Sequence, residues 1–361
     1  MANASASDTD LLMSAEVTDY LRAADVLPDG VPAEVSELGG GVSNVVLRVS
    51  WPSGCVVVKQ SLPKLRVPAD WAFDRKRTLV ERDCLSLLSR LVPGCVPDVV
   101  MCDERRLVLV ISCVPAEAEL WKASLMAGRV EPVVAARAGE LLGEIHRSAA
   151  ADGLARSQFD DQTVLIQGRT DPFHLTVAAS HPELAPAIES EVERMLATRA
   201  TLTLGDYSPK NIFVLPNRVM AIDLETAHWG DPAFDVAFCL THLILKAFRF
   251  PSEADKYLAA AARFWARYRA RDGGLCGEPA VVSELGCLLL ARMDGKSPVD
   301  YITSEDCKDR IRRLAAELIG GGGDSLPAAL ASALAWLPSE PEQAPNPDLV
   351  TEPVRRHAHA E

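Results

Sequence analysis

Between Leu204 and Asp235 the chain reads LGDYSPKNIFVLPNRVMAIDLETAHWGDPAFD, and no other stretch restricts its folding so tightly. Pro209 puts Asp206 and Asn211 in a loop. Two short β-prone runs, 212–215 and 219–222, flank Pro216-Asn217 and predict a small hairpin. Asp223 follows the second run directly, and Glu225 lies two residues beyond it. Taken singly, GDYSPKN is a turn and IDLE a strand end. Together they set two carboxylates and an amide oxygen around one hairpin.

Phosphoryl transfer requires such a set. Its transition state is loose and highly charged, so a protein contributes positioning and a divalent ion rather than covalent chemistry. One carboxylate must orient the attacking hydroxyl and accept its proton, a role that Asp206 fits. A second carboxylate and a neutral amide oxygen must hold Mg²⁺, a hard ion that takes oxygen ligands. Asp223 and Asn211 fit that role, and Glu225 could face the same side of an extended chain and assist.

Composition limits the alternatives. The 361 residues allow two or three domains or one bilobal unit, and 48% are apolar, enough for a large core. The formal net charge of −13 disfavours nonspecific binding to nucleic acid or an anionic membrane surface. The nine cysteines form no CxxC motif and sit mostly in apolar runs, which predicts free buried thiols in a reducing compartment. Met1 to Asp10 has no basic residue and no apolar h-region, so no signal peptide is expected. The apolar stretch Ala233 to Phe248 is broken by Asp235, His242 and Lys246 and is not a membrane span. A cytoplasmic protein is expected.

Periodicity orders the rest. A short helix suits 14–26, two β-branched runs around WPSG make a hairpin, Ala72 to Leu91 reads as a helix, and Arg106 to Cys113 as a strand. Residues 11–115 are therefore expected to form a small β-rich lobe holding one helix. Helical spacing then fills 132–148, 184–197, 231–249, 253–270, 280–292, 304–319 and 326–336. Residues 1–10 and the Pro/Glu/Ala-rich 338–361 are expected to be disordered, and His357 and His359 to be solvated tail residues.

The Leu204–Asp235 segment resembles the aminoglycoside phosphotransferase and choline kinase group, small-molecule kinases with a protein-kinase-like fold. Those enzymes carry HGDxHPxN, then IDxE and GDPxxD. The matches here are Gly205-Asp206, Pro209, Asn211, Ile222-Asp223, Glu225, Gly230-Asp231-Pro232 and Asp235, whereas Leu204 and Ser208 replace the two histidines. The resemblance implies that Asp206 is the catalytic base, that Asn211 and Asp223 bind Mg²⁺, and that ATP is the donor. It also implies a nucleotide-covering loop at Gly39, Gly40, Gly41 and Ser43, and a phosphate-holding Lys59 at the end of CVVVK. The helix acid paired with Lys59 is taken as Glu81, with Asp83 as the alternative, because Glu81 is followed by Leu85 and Leu88.

The segment 121–146 resembles bacterial members near methylthioribose kinase, and His146 at its end is expected to be structural. The loop 291–302, with Asp294, Lys296 and Ser297, is a candidate substrate-side loop. The expected fold is α+β and bilobal. A five-stranded antiparallel N-lobe with one helix covers a mainly helical C-lobe at 116–337, with a hinge near 112–120. The expected activity is transfer of the ATP γ-phosphoryl group to a small-molecule hydroxyl. An antibiotic-type alcohol is the prime acceptor, and a thiosugar, fructosamine or amino alcohol the alternative; a catalytically silent nucleotide-binding module is the non-enzymatic reading.

Overall fold

The computed structural model describes residues 11–39, 42–67, 69–321 and 325–338. Sequence expectations for 1–10, Gly40, Gly41 and 339–361 lie outside these residues.

Alternation along the WPSG hairpin sets up the first layer. Strand β2 (Asn44–Trp51) pairs antiparallel with β3 (Gly54–Ser61), so that Leu47 faces Val58 and Val49 faces Val56. These four side chains are buried on one sheet face. The opposite parity, Val57 and Lys59, pairs with Ile111 and Leu109 of β5 (Val108–Ser112). With β1 (Glu34–Glu37) and β4 (Val99–Asp103), the sheet has five antiparallel strands in the order β1-β2-β3-β5-β4.

The lobe holds two helices rather than one. Helix α1 (Val17–Ala23) lays Val17 and Leu21 against Leu47, Val49, Val56 and Val58, which closes a separate small core behind the sheet. An unpartnered apolar sheet face would otherwise meet water. The second helix, α2 (Arg77–Leu91), covers the other face and begins five residues later than its apolar stripe predicts. Ala72 is instead in a β-bridge with Lys64.

The cysteine expectation also needs correction. Cys55 and Cys113 form a disulfide, and Cys84, Cys95, Cys102, Cys239, Cys276, Cys287 and Cys307 are free. The register explains it: Val56 stands opposite Ser112 in the β3–β5 ladder, which sets the flanking cysteines side by side with Cα atoms 5.7 Å apart. Apolar context, the basis of the expectation, carries no information about cross-strand register.

Beyond Ser112 the chain runs into a helical lobe. The helix Pro232–Arg249 is buried along its whole length, its start capped by Asp231 Oδ1 accepting from the Ala233 amide at 2.9 Å. Against it pack Ala254–Arg269 and Glu278–Asp294, and Pro132–Ala151 packs along Ala254–Arg269. Gly139 permits the tightest crossing, because a Cβ there would lie 2.1 Å from the Phe264 carbonyl oxygen. Residues 152–181, for which the sequence offered no periodic reading, form short turns and a wide π-helical segment, Ile166–Leu175, that contains Pro172. No helix among the described residues is long and apolar enough to cross a membrane.

Candidate active site

The Ile212–Val214/Val219–Ala221 hairpin stands between the lobes and sets the depth of a cleft of about 470 Å³. Val57 and Ile111 from the sheet, with Phe213 and Ile222 from the hairpin, give the cleft one apolar end. The polar part of its lining holds Lys59, Glu81, Asp206, Asn211, Asp223 and Glu225.

Lys59 reaches from β3 to both sides of the cleft. Its Nζ is 2.6 Å from Glu81 Oε1 on α2 and 2.9 Å from Asp223 Oδ1 after the hairpin. Asp83, the alternative partner, pairs with Arg82 instead. Burial alone would neutralise the Lys59 ammonium, but Asp223, Glu81 and Glu225 outweigh it and hold the group charged, above the ordinary lysine range. Burial likewise opposes ionisation of Asp223, yet Lys59 and Lys210 draw its carboxyl down to about 2. Glu81 is pushed up to about 7 by burial, with Asp223 and Glu225 adding like charge. One carboxylate oxygen from each of Glu81, Asp223 and Glu225 falls within 4.8 Å of the others.

Asp223 is a non-glycine residue with φ of 63°, a left-handed backbone that L side chains seldom adopt. It is held there from both ends. Leu224 N donates to Glu81 Oε1 at 3.4 Å, and Ile222 N donates to Asn211 O at 2.9 Å.

The loop carrying Asp206 is fixed from below. Asp235 accepts from the amides of Leu204 and Gly205 at 2.6 and 2.7 Å, and His146 Nε2 approaches the same carboxylate at 3.1 Å. His146 is fully buried and also meets Tyr268 Oη at 3.0 Å, so its role is positional. Gly205 has φ of 76°, and a Cβ on it would lie 2.7 Å from the Thr226 carbonyl oxygen. Asn211 Nδ2 donates to the Asp206 carbonyl at 3.1 Å, which locks the two ends of the loop together. Asp206 Oδ2 is shared by Arg169 at 3.0 Å and Lys210 at 2.9 Å, while the buried Oδ1 has no partner among the described residues.

Three features escaped the sequence. Arg169 lies in the unread 152–181 stretch; it holds Asp206 and donates from Nε to the Gly205 carbonyl at 2.5 Å. Arg77 is fully buried and bridges the lobes, from Glu225 Oε2 at 3.1 Å to the Ser43 carbonyl at 2.5 Å and the Leu62 carbonyl at 2.9 Å. Asn44 Nδ2 donates to the same Glu225 oxygen at 2.8 Å. Glu225 thus ties the glycine loop to the hairpin besides standing in the acidic group. Of that loop, Gly39 and Ser43 line the cleft. The only early signal for Arg77 was a basic residue inside an apolar helix stripe. In the 291–302 loop, Ser297 reaches the cleft, Asp294 is paired with Arg312 and His181, and Lys296 is directed to the Asp70 carbonyl.

Residues 34–273 match the phosphotransferase enzyme family. The chain belongs to that family. Among curated proteins, the methylthioribose kinase of Yersinia enterocolitica is 27% identical over 78% of this chain and 79% of its own length. A methylthioribose kinase of Oryza sativa subsp. japonica is 25% identical over 68% of this chain and 65% of its own. Among solved structures, an amicoumacin kinase in complex with AMP-PNP and Ca²⁺ superposes with a TM-score of 0.56 at 13% identity, over 87% of this chain and 98% of that one. Choline kinase from Cryptosporidium parvum Iowa II gives 0.50 at 11% identity, over 90% and 94%. These likenesses establish a protein-kinase-like fold; in the motif on which the resemblance rests, Leu204 and Ser208 stand in place of the two histidines. Leu204 still presents its amide to Asp235, so the departure leaves the backbone of the loop in place.

Proposed function

We propose that this phosphotransferase moves the γ-phosphoryl group of ATP to a hydroxyl of a small metabolite. The observation that carries the reading is the convergence of Asp206, Asn211, Asp223 and the Lys59–Glu81 pair on one cleft. The apolar end, with Val57, Ile111, Phe213 and Ile222, suits a purine ring. Lys59, already charged and aimed inward, suits the α- and β-phosphates.

The donor set fits Mg²⁺. Asn211 and Asp223, with Glu225 beside them, are hard oxygen donors, and one oxygen each of Asp223, Glu225 and Glu81 lies within 4.8 Å of the others. The ion would neutralise charge on the β- and γ-phosphate oxygens. Asp206 orients the acceptor hydroxyl and takes its proton as the new O–P bond forms and the bond to the β-phosphate oxygen breaks. Arg169 and Lys210, both on Asp206 Oδ2, would supply positive charge to the transferring phosphoryl group.

A metabolite is favoured over an antibiotic-type alcohol by two observations. The curated relatives matched over most of this chain are methylthioribose kinases, and the cleft around Asp206 is lined by Lys122, Arg169, Lys210 and Arg292, which repel polycationic aminoglycosides. The test is ADP formation from ATP and Mg²⁺ with thiosugars, polyols, amino alcohols and aminoglycosides. Turnover confined to aminoglycosides would overturn the metabolite reading. ADP formation with none of them, and none without acceptor, would favour a silent nucleotide-binding module.

A further inference from the structure

The acids lining the cleft are spoken for. Glu81 and Asp223 share Lys59, Glu225 holds Arg77, and Asp206 holds Arg169 and Lys210. Two cations in the same lining, Lys122 and Arg292, have no acidic partner within ion-pair distance among the described residues. Arg292 stacks its guanidinium over Phe173 at 5.7 Å, and its buried Nε has no hydrogen-bond partner among the described residues.

Behind this wall lies more unspent polarity. Lys246 is almost completely buried in the central helix, its Nζ 5.2 Å from the centre of the Tyr301 ring and 3.2 Å from the His242 carbonyl. The Tyr301 hydroxyl and His242 Nε2 are buried without partners among the described residues. The His242 ring contacts Phe238, which itself lines the cleft. Burial first, then Lys122 and Arg292, pull the Lys246 ammonium down to about 7, with Asp300 only a partial offset. Concentrating positive charge around unpaired donors costs stability unless an anion compensates it.

We propose that the acceptor is anionic: a hydroxyl compound bearing a carboxylate or phosphate ester, whose charged group sits against Lys122 and Arg292, with Lys246 and Tyr301 behind, while its hydroxyl meets Asp206. This deepens the kinase reading and rests on it. It also departs from the neutral thiosugar named in the relatives and from any cationic alcohol. A charged, multiply hydrogen-bonded anchor of this kind is worth roughly 2–5 kcal/mol when one partner is removed, or about 30- to several-thousand-fold in affinity.

The test is calorimetric titration of the whole protein saturated with Mg²⁺ and AMP-PNP, so that nucleotide phosphate positions are filled. The probes are sulfate, D-glycerate, glycerol 3-phosphate, glycerol and choline. The expected result is binding of one or more of the three anions, with glycerol and choline silent. Arg292→Gln should weaken anion binding at least about thirtyfold, whereas Arg263→Gln, on the exposed face of the helix Ala254–Arg269, should bind as wild type. Lys122→Gln serves as the second variant should Arg292→Gln fail to fold. Glycerate against glycerol 3-phosphate separates a carboxylate from a phosphate ester. Nucleotide binding without anion binding, or equal binding by both cleft variants, overturns the anionic acceptor alone. Absence of nucleotide binding overturns it together with the kinase reading.

Discussion

Asp223 sits in a left-handed backbone that costs on the order of 1 kcal/mol, and the site uses that strain to turn its carboxylate toward Lys59. Two predictions belong to this scale. Lys59→Ala should raise the KM for ATP more than that for the acceptor, because on the proposed reading its ammonium holds the α- and β-phosphates rather than the acceptor. Glu81→Ala should reproduce part of the defect, and the double variant should be little worse than Lys59→Ala, since groups acting as a unit are not additive. Asp83→Ala should be silent in the same steady-state assay, its carboxylate being occupied by Arg82. Asp223→Ala should cost more activity than Asn211→Ala, a charged ligand against a neutral one, and both defects should shrink as Mg²⁺ is raised. Titrating the metal in each variant checks this; Asp223→Ala with wild-type turnover at low Mg²⁺ would remove it from the metal site.

At the scale of elements, the loop bearing Asp206 is rigid because Asp235, His146 and Gly205 each fix a different part of its backbone. GDPxxD was visible in the sequence, but the direction of the Asp235 carboxylate was not, since a helix-borne acid is read by spacing and its target lies thirty residues upstream. The pairing of Lys59 with Glu81 was legible through the resemblance, because Glu81, unlike Asp83, is followed by Leu85 and Leu88 at the family's spacing. Arg169 was illegible: it lies in a π-helical segment, whose period no helix or strand template matches. Strand His228–Gly230 adds an acid-sensitive element. Burial pushes the His228 imidazole down to about 4, against an ordinary value of 6.5. The neutral ring is thus a source of stability present above about pH 6.5 and lost as pH falls toward 4. Between pH 7.5 and 5 this one group should cost the fold on the order of 2 kcal/mol. His228→Gln, which removes the titration, should show a smaller loss than wild type in urea unfolding at those two pH values. Equal losses would mean that the ring protonates without penalty.

Among the described residues, one large core runs from Leu85 and Leu109 behind the cleft to Leu314 and Ala329 in the last helices, and the face under α1 has a separate small core. The sheet, helices and hairpin were readable from period 2 and period 3.6. Helix α1's place behind the sheet and the Cys55–Cys113 bond were not, because both depend on which strand faces which. The function follows from the cleft this assembly creates, where residues from β3, α2, the hairpin and the Asp206 loop meet. On the proposed reading, Asp206 accepts the acceptor's proton. The most direct test is Asp206→Asn assayed for turnover with the best acceptor and for Mg²⁺·AMP-PNP binding on the same preparation. In that variant kcat should fall by at least about a hundredfold, with nucleotide affinity and melting temperature retained. Near-normal turnover in Asp206→Asn would contradict it.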